Sequence, residues 1–411
     1  MDKGQFKARV RKAKKHVQRQ QDKITVAIEA GKQSQVQYRQ KILMNSFDAK
    51  LVATAKANSK SKVKYRIYDF DELMEIAGNL DVWRSSTEKA RITLQAKEKK
   101  PDEPRPVIAF GLRQKARQYL VGMALEPSAK RSIKPNQFSQ KGGTKNAIET
   151  TLDLLHKGYS NFVEIDITSC YSSYCEEVLA DLLNIPSIVS NNVVVGRHML
   201  FTLSYIGFSL GNGDDLLDSD LFRDPIAEVQ CGIPQGSALS PLVSDMLLSM
   251  VDIDLPDEAR LVIYADNFLI LAKDEGVAHA VADNLRKAIS SHPAGPLTPR
   301  IEQSGQAQDG FDFLGYHLYP RGSGFAVRPS NHNRNKFDYR YQTELDKIPL
   351  SHNARPGNLK RIKKLENWVK GWCAAFCLWE GMGEFKIERL THLKNLKIDI
   401  KNELSLMDKA A

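Results

Sequence analysis

Two aspartates lie in segments whose residue types are typical of buried strands. Asp166 lies near the end of the alternating run Asn161–Ile167, and Asp266 lies between the two apolar halves of Arg260–Ala272, a pattern typical of a tight hairpin. Carboxylates at strand ends can converge at one edge of a sheet. There they could hold two cations that prefer oxygen ligands, together with the phosphates of a substrate. Either aspartate alone also fits a turn or a cap, because Asp is favoured there.

A glycine-containing loop lies between the two aspartates in the chain. It reads GIPQGSALSP over Gly232–Pro241 and is followed by an apolar segment, Leu242–Met250, that is predicted to be a helix. Two glycines and several small residues allow a backbone to approach a ligand closely. The same segment also fits an ordinary tight connection between a loop and a helix.

The elements that must position these residues are predicted from hydrophobic period and from turn residues. One stretch rich in Lys, Glu and Pro, Lys97–Pro106, is a candidate linker or exposed insertion. The predicted regular elements are helices at Arg113–Leu125, about Thr144 to Leu155 and about Asn358 to Trp379, strands at Asn161–Ile167 and Phe311–Tyr319, the hairpin at Arg260–Ala272, and a loop over Lys134–Lys145.

Charge is distributed unevenly along the 411 residues, which carry a net charge of +10. Residues 1–60 hold 15 Lys and Arg against 4 Asp and Glu, residues 331–411 hold 16 against 10, and the residues between them hold 28 against 35. Basic ends around an acidic centre suit a polyanion held near carboxylates that bind metal ions.

The basic N-terminal region is predicted to form two helices from Arg9 to about Ala57, because its apolar residues recur near helical spacing. Four basic residues lie close together there: Lys12, Lys14, Lys15 and Arg19. A solvated amphipathic helix would explain them, but the density of charge without matching acids favours a surface that contacts phosphates.

Composition excludes several classes of protein. With 42% apolar and 26% charged residues, the chain is neither disordered nor fibrous, and its length predicts two or three domains. We find no run of about 18 apolar residues, so a transmembrane helix is not expected, and no apolar stretch follows the basic start as in a secretory signal. Five cysteines without paired CxxC spacing predict reduced thiols in a cytoplasmic protein, with a zinc site as the disfavoured alternative.

Taken in chain order, the segments resemble the reverse transcriptase family, specifically the type encoded by group II introns. The resemblance covers about residues 10–380, and the order of GIPQGSALSP, YADN and FLG is specific although each motif alone is not. The segments that carry it are Ser46–Ala53, Ala124-Leu125-Glu126-Pro127, Ala147-Ile148, Glu164-Ile165-Asp166-Ile167 with Tyr171, Gly232–Pro241, Tyr264-Ala265-Asp266-Asn267 and Phe313-Leu314-Gly315.

The resemblance implies an α+β fold of the right-hand polymerase type. Residues 1–60 would be a basic helical extension and residues 61–160 the fingers. Residues 161–325 would form the palm on an antiparallel sheet, and residues 326–411 the helical thumb with a short tail.

The resemblance also assigns roles in the palm. Asp166 and Asp266 match the aspartates that bind two Mg²⁺ ions, with Mn²⁺ as an alternative, and the backbone carbonyl of Ile167 matches the position that completes the metal shell. Tyr171 matches the steric gate that excludes a 2′-hydroxyl, although ordinary core packing would also explain it.

Further roles concern the nucleic acid. Gln235 and Gly236 match the loop near the template strand and the nascent base pair. Phe313, Leu314 and Gly315 match the primer grip, and the helix predicted near the C-terminus matches the thumb.

Two departures from the family pattern affect the predicted chemistry. Asn267 replaces the second acid of the usual YxDD box; it keeps an oxygen ligand and is still counted with the catalytic group. Gln303 stands where a lysine often protonates the departing pyrophosphate. Arg300 is near enough to substitute, but its high pKa makes it a poor proton donor.

A third departure concerns the triphosphate. The segment expected to offer an arginine reads QFSQKGGTK from Gln137 to Lys145, so Arg131, Lys141 or Lys145 would have to serve. About 30 residues follow the thumb helix, so the maturase and endonuclease regions of a mobile intron enzyme are expected to be missing or vestigial.

The resulting hypothesis is an RNA-directed DNA polymerase of bacterial type that adds dNTPs to a primer 3′-hydroxyl. Its template would be a dedicated non-coding RNA, and its other ligands the DNA primer and product, with a protein partner or a second copy left open and no membrane. A polymerase without mobility regions resembles domesticated reverse transcriptases, including those of antiphage defence. Its altered motifs favour a DNA product that is short or repetitive, or one that is made with little template guidance.

Two other functions remain open. A non-catalytic scaffold that binds nucleic acid would explain the three departures. A splicing cofactor derived from a maturase is disfavoured by the short C-terminal region. Retention of Asp166, Asp266 and Tyr171 together favours the enzyme.

Overall fold

The computed structural model describes residues 1–96, 104–206, 226–348 and 356–410, and over these ranges the protein is an α+β fold, as predicted. The helices are α1 (Lys3–Glu29), α2 (Gln33–Asn45), α3 (Phe47–Lys60), α4 (Phe70–Gly78), α5 (Leu112–Ser132), α6 (Gly143–His156), α7 (Glu176–Leu182), α8 (Ser240–Leu248), α9 (Glu275–Ser290), α10 (Asn331–Asp346), α11 (Pro356–Ala375) and α12 (Met382–Ala410). The strands are β1 (Ala90–Ala96), β2 (Pro104–Ala109), β3 (Asn161–Thr168), β4 (Phe201–Ile206), β5 (Ala259–Tyr264), β6 (Asn267–Ala272), β7 (Thr298–Gln306), β8 (Phe311–Phe313), β9 (Tyr316–Arg321) and β10 (Gly324–Pro329).

The basic N-terminal region forms three helices where two were predicted. Gly31, with φ +65°, follows the end of α1, and the extended backbone of Ser46 separates α2 from α3. At its start α1 has a capping box in which Asp2 accepts from the Gln5 N–H (2.9 Å). The buried side of α1, which includes Phe6 and Val17, packs on α3 and α5.

A four-stranded antiparallel sheet with the order β5-β6-β3-β7 lies at the centre of the chain. Both of its faces are buried, so adjacent residues of β6 belong to different cores. Phe268 packs in a core that includes α9, whereas Leu269 packs in a core that includes the C-terminal helices α10 to α12. The predicted strand at Asn161–Ile167 and the predicted hairpin at Arg260–Ala272 are thus confirmed.

Two three-stranded sheets flank this centre, with orders β2-β1-β4 and β10-β9-β8. Part of the predicted linker Lys97–Pro106 lies outside the described residues, but Pro104–Ala109 is strand β2, paired antiparallel with β1. The single strand predicted at Phe311–Tyr319 is wrong. It is two strands, because Leu314 and Gly315 have φ of +47° and +83° and turn the chain between them.

Helix α11 ends at Ala375, four residues before the predicted end at Trp379. Phe376 and Trp379 continue the apolar spacing as turn residues, since the Trp379 N–H donates to the Phe376 carbonyl (3.2 Å) and the Trp379 ring packs on Phe385 of α12 (5.7 Å between centroids). The helices predicted at Arg113–Leu125 and Thr144 to Leu155 are confirmed as α5 and α6.

Candidate active site

Asp166 and Asp266 come together at one edge of the central sheet. The register pairs Asp166 of β3 with Asn267 of β6, and Tyr264 of β5 with the same Asn267, so Ala265 and Asp266 form a two-residue turn. Ala265 has φ +52°, as a tight hairpin of this length requires. The turn therefore places Asp266 next to the residue pair that contains Asp166.

The charge of Asp266 acts on Asp166, and burial acts on both carboxylates. Burial and then the negative charge of Asp266 raise the pKa of Asp166 to about 6, while Arg300, its partner on β7, acts to lower it. Burial also raises the pKa of Asp266. Negative charge at this edge is incompletely compensated by the protein, which favours a bound cation.

The neighbouring donors are oxygen atoms of the kind that Mg²⁺ and Mn²⁺ prefer. The Asn267 side-chain N–H donates a hydrogen bond to Asp266 Oδ1 (3.3 Å). The carbonyl oxygen of the same Asn267 side chain is then left as a further possible metal ligand. Ile167 lies opposite Pro299, which has no N–H to offer the Ile167 carbonyl. Within the described ranges we find no group of three or more His, Cys, Asp or Glu that could hold a metal, so water or the phosphate oxygens of a substrate would complete any shell.

Tyr171 follows β3 and is fastened to the glycine-containing loop. The Ile233 N–H donates to the Tyr171 carbonyl (2.9 Å), and a Cβ on Gly232, which has φ +58°, would lie 2.2 Å from that carbonyl oxygen. Only a glycine permits this approach. Burial, and to a lesser degree the charge of Asp266, raises the pKa of Tyr171, so the phenol stays neutral beside the carboxylate.

The tip of this loop is held from a second side. Gly236, with φ +97°, lies against the Ile108 carbonyl of β2, where a Cβ would be 2.6 Å from the oxygen, and the Ala238 N–H donates to Gln118 Oε1 (3.0 Å). Gln235 and Gly236 themselves are exposed. The fold thus presents the two predicted template-contacting residues on a fixed loop, and their role stays a prediction.

Asp245 is a buried carboxylate of this region that the sequence reasoning missed. It is 1% exposed on α8, and its carboxylate accepts from the Ser139 hydroxyl, while the Gln137 side chain donates to its backbone carbonyl (3.1 Å). Burial raises its pKa, and the charge of Asp266 adds to this. The sequence did contain a signal for this residue, because Asp245 is the only acid in the apolar run Leu242–Met250.

Gln303 of β7 is held by hydrogen bonds instead of facing an open site. Its amide donates to Glu164 Oε2 and to the Asp312 carbonyl. Glu164 is a second buried carboxylate that was not singled out, and burial raises its pKa. The basic residue opposite Asp166 is Arg300, which forms an ion pair with Glu302.

The three candidates for contact with a triphosphate are all exposed. Arg131 lies in the last turn of α5, Lys141 lies in the loop before α6, and Lys145 pairs with Glu149 on α6 (3.5 Å). Within the described ranges, no hydrogen bond or ion pair joins any of them to Asp166 or Asp266, and their role stays a prediction.

The segment Phe313-Leu314-Gly315 forms the turn between β8 and β9. Phe313 is buried, and the Gly315 carbonyl accepts from the Ser330 N–H (2.9 Å) and from the Asn333 side chain (3.0 Å) at the start of α10. The turn is therefore bonded to the first C-terminal helix. Its predicted contact with a primer is untested.

The predicted phosphate-contacting residues of the N-terminus share the exposed side of α1. Their neighbours Ala13 and Val17 are buried, so the charged side chains point away from the core. The set consists of Lys12, Lys14, Lys15 and Arg19.

In the described part of the chain, we find no helix with the length and apolar character needed to cross a membrane.

Comparison with known proteins shows no family for this chain. No family model and no curated protein matches it. One similar solved structure is that of telomerase from Candida albicans in complex with a TWJ fragment of telomeric RNA, at 14% identity and a TM-score of 0.36. The match covers 78% of this chain and 61% of the telomerase chain, so this chain spans less than two thirds of that protein. A TM-score below 0.5 does not establish a common fold.

Proposed function

We propose that the protein is an RNA-directed DNA polymerase of the reverse transcriptase type, related to the enzymes of group II introns. The observation that carries this proposal is the convergence of Asp166 and Asp266, 100 residues apart in the sequence, at one edge of an antiparallel sheet. Phosphoryl transfer requires a protein mainly to position its reactants and to neutralise charge. A pair of carboxylates with raised pKa suits that task once cations are bound.

In this proposal Asp166, Asp266 and the Ile167 carbonyl hold the metal ions, and Asn267 orients the Asp266 carboxylate through its amide hydrogen bond. Two Mg²⁺ ions, when bound, would activate the primer 3′-hydroxyl and neutralise the charge of the leaving pyrophosphate. Tyr171 would limit the space beside the sugar of the incoming nucleotide, since its backbone is fixed by the Gly232 contact.

The nucleic acid would lie along surfaces on both sides of this edge. Gln235 and Gly236 would contact the template, the turn at Phe313-Leu314-Gly315 would contact the primer, and α1 would bind RNA backbone through its exposed lysines and arginine. We further propose that the template is a dedicated non-coding RNA, that the product is short or repetitive, and that the setting is antiphage defence in bacteria. These finer statements rest on the sequence resemblance alone.

A non-catalytic scaffold is the second candidate. Two observations favour it: Asn267 replaces an acid, and Gln303 is occupied by hydrogen bonds with Glu164 and Asp312. Both would follow if selection for turnover had ended. The pair of carboxylates opposes it, because an uncompensated charge cluster without a ligand only destabilises the fold.

Primer extension separates the two candidates. Purified protein with its co-purified RNA, dNTPs and Mg²⁺ should incorporate nucleotides, and Asp266→Ala should reduce the rate by about 10³-fold or more, since several kcal/mol of charge stabilisation would be lost. Asp309→Ala, an exposed acid outside the site, is the matched control and should keep full activity. Incorporation that persists in Asp266→Ala would disprove the site, and a wild type that is inactive on every template would favour the scaffold.

A further inference from the structure

A separate cavity with both polar and apolar walls lies behind the Gly232–Pro241 loop. Its volume is about 40 Å³, and its walls come from α5, from the segments before β1 and β4, and from the loop itself. Residues from these walls include Ser85, Gln114, Arg117, Asn192 and Pro234. Neither Asp166, Asp266 nor Tyr171 lines it, so it is distinct from the two-carboxylate edge.

Arg117 is the dominant group of this cavity, and it is only 5% exposed. One terminal nitrogen donates to the Arg84 carbonyl and to the Asn192 carbonyl (3.3 Å), which are neutral acceptors. The Nε–H, also buried, has no hydrogen-bond partner among the described residues. A buried guanidinium with neutral partners and an unused donor is costly unless an anion completes it.

The nearest carboxylates are engaged elsewhere. Glu88 caps the start of α5 by accepting from the Gln114 N–H (2.7 Å), and Asp81 accepts from the Trp83 N–H (2.7 Å). Both act on Arg117 only at a distance, and burial outweighs them, so the pKa of Arg117 lies below its ordinary value. Arginine nevertheless stays charged at neutral pH because its ordinary pKa is so high.

Gln114 supplies a complementary group in the same cavity. Its amide nitrogen donates to the Glu88 carbonyl (2.5 Å), which fixes the orientation of the amide, and its Oε1 is buried without a partner among the described residues. Arg117 and Gln114 both line the cavity, so a ligand that accepts from the guanidinium and donates to the amide oxygen would use both groups. A phosphate that carries one proton does both, since its charged oxygens accept and its P–OH donates. Inorganic phosphate carries that proton at neutral pH, whereas a nucleotide phosphate, with a second pKa of about 6, would take one up on binding.

We infer that this cavity binds a phosphoryl oxyanion, supplied either as inorganic phosphate or as the terminal phosphate of a free nucleotide. The volume suits one such group, because a single water molecule needs about 10–15 Å³ by the same measure. Its wall includes Pro234, so a bound anion would brace the loop that carries Gln235 and Gly236. The inference stands on Arg117 and Gln114 and does not require the polymerase function.

Isothermal titration calorimetry on the full chain tests this site. EDTA in the buffer prevents binding at any nucleotide site that depends on a metal ion. The titrants are inorganic phosphate, AMP and adenosine. We expect saturable one-to-one binding of phosphate, AMP or both, and none of adenosine. Binding of phosphate identifies the free anion as the ligand, whereas binding of AMP alone identifies the nucleotide.

The matched variants are Arg117→Met and Arg113→Met, which remove a buried and an exposed arginine from the same helix. Arg117→Met should weaken binding by about tenfold or more, the effect of losing charge-assisted hydrogen bonds, and Arg113→Met should leave it unchanged. If Arg117→Met does not fold, Gln114→Leu replaces it, with a smaller loss expected.

Three results would overturn the inference. The first is the absence of saturable binding by the wild type; the second is undiminished binding by folded Arg117→Met. The third is a response that chloride at equal ionic strength reproduces, which would mean that the cavity holds only water or a halide.

Discussion

The carboxylate edge of the central sheet and the basic side of α1 place charge in opposite ways. At the edge, Asp166 and Asp266 are partly buried, their positions follow from strand register, and the charge of Asp266 raises the pKa of Asp166. On α1, the basic side chains are exposed and lie on a regular helix. The proposed role of the carboxylate edge therefore depends on exact side-chain positions, whereas that of the basic side of α1 depends on the number of charges it presents.

This difference determines how each region should respond to substitution. A site built on close backbone contacts should fail when a single methyl group is added. A surface that attracts a polyanion should lose a little with each charge removed. The following substitutions test this contrast, beginning with the largest expected effect.

Gly232→Ala should lower the free energy of unfolding more than the other single substitutions described here. Its Cβ would lie 2.2 Å from the Tyr171 carbonyl oxygen, and its φ of +58° disfavours any side chain. We expect a loss of about 1–3 kcal/mol in the free energy of unfolding, measured by urea denaturation, and a strong loss of primer extension. Gly371→Ala on α11, where a Cβ meets nothing within 4 Å, is the control and should be neutral or slightly stabilising. Equal behaviour of the two variants would show that the loop is not fixed by this contact.

Tyr171→Ala should change the choice of nucleotide more than the rate. Removing the ring opens space beside the sugar, so the preference for dNTPs over NTPs should fall about tenfold or more, measured as a ratio of kcat/KM values. Tyr171→Phe keeps the ring and should keep the preference. If discrimination is unchanged in Tyr171→Ala, the ring serves packing alone.

Asp245→Asn should raise stability in a pH-dependent way. The folded-state pKa of Asp245 is raised, so the folded protein holds its proton more tightly than the unfolded chain does, and the associated stability is lost as pH rises through the folded value. The neutral amide escapes that loss and can still accept from Ser139. The difference in Tm between variant and wild type should therefore grow from acidic to neutral pH. Asp309→Asn, an exposed acid, should show no such trend, and a flat difference for Asp245→Asn would contradict the assignment.

Replacing Lys12, Lys14, Lys15 and Arg19 together by Gln should weaken RNA binding, with the smallest effect per substituted residue of all these tests. If all four contact phosphates, the slope of log affinity for single-stranded RNA against log salt should fall by about 3. Deleting residues 1–20 is a poorer test, since it would also remove Phe6 and Val17 from the core. Arg286→Gln with Lys287→Gln, exposed on α9, is the control. An unchanged slope in the fourfold variant would mean that these side chains are only solvated.

Local patterns predicted the elements that carry the candidate site. Asn161–Ile167 alternates, and Arg260–Ala272 has two apolar runs around a turn, so each could be recognised from its own residues. The register that puts Asn267 opposite Asp166 could not be predicted this way, because it depends on strands about 100 residues apart. The convergence of the two aspartates was predicted instead from the order of motifs along the chain, which resembles that of reverse transcriptases.

Errors arose where tertiary contacts override a local pattern. Leu314 and Gly315 divide an apolar run that reads as one strand, and Trp379 keeps helical spacing as a turn residue because it packs on α12. Arg117 lies in a helix with several other basic residues, which reads as a solvated surface. Its burial became evident only from the packing of α5 against distant segments.

The segment before α6 also closes one side of the central sheet. Strand β5 is an edge strand in the order β5-β6-β3-β7, yet its Ile263 N–H donates to the Asn136 carbonyl and its Ile263 carbonyl accepts from the Phe138 N–H, both at 2.9 Å. The Asn136 side chain also donates to the Leu261 carbonyl (3.0 Å). An unpaired edge invites a strand from another molecule, which is a common route to aggregation. With these groups already bonded, a second chain could extend the sheet here only by displacing the whole segment.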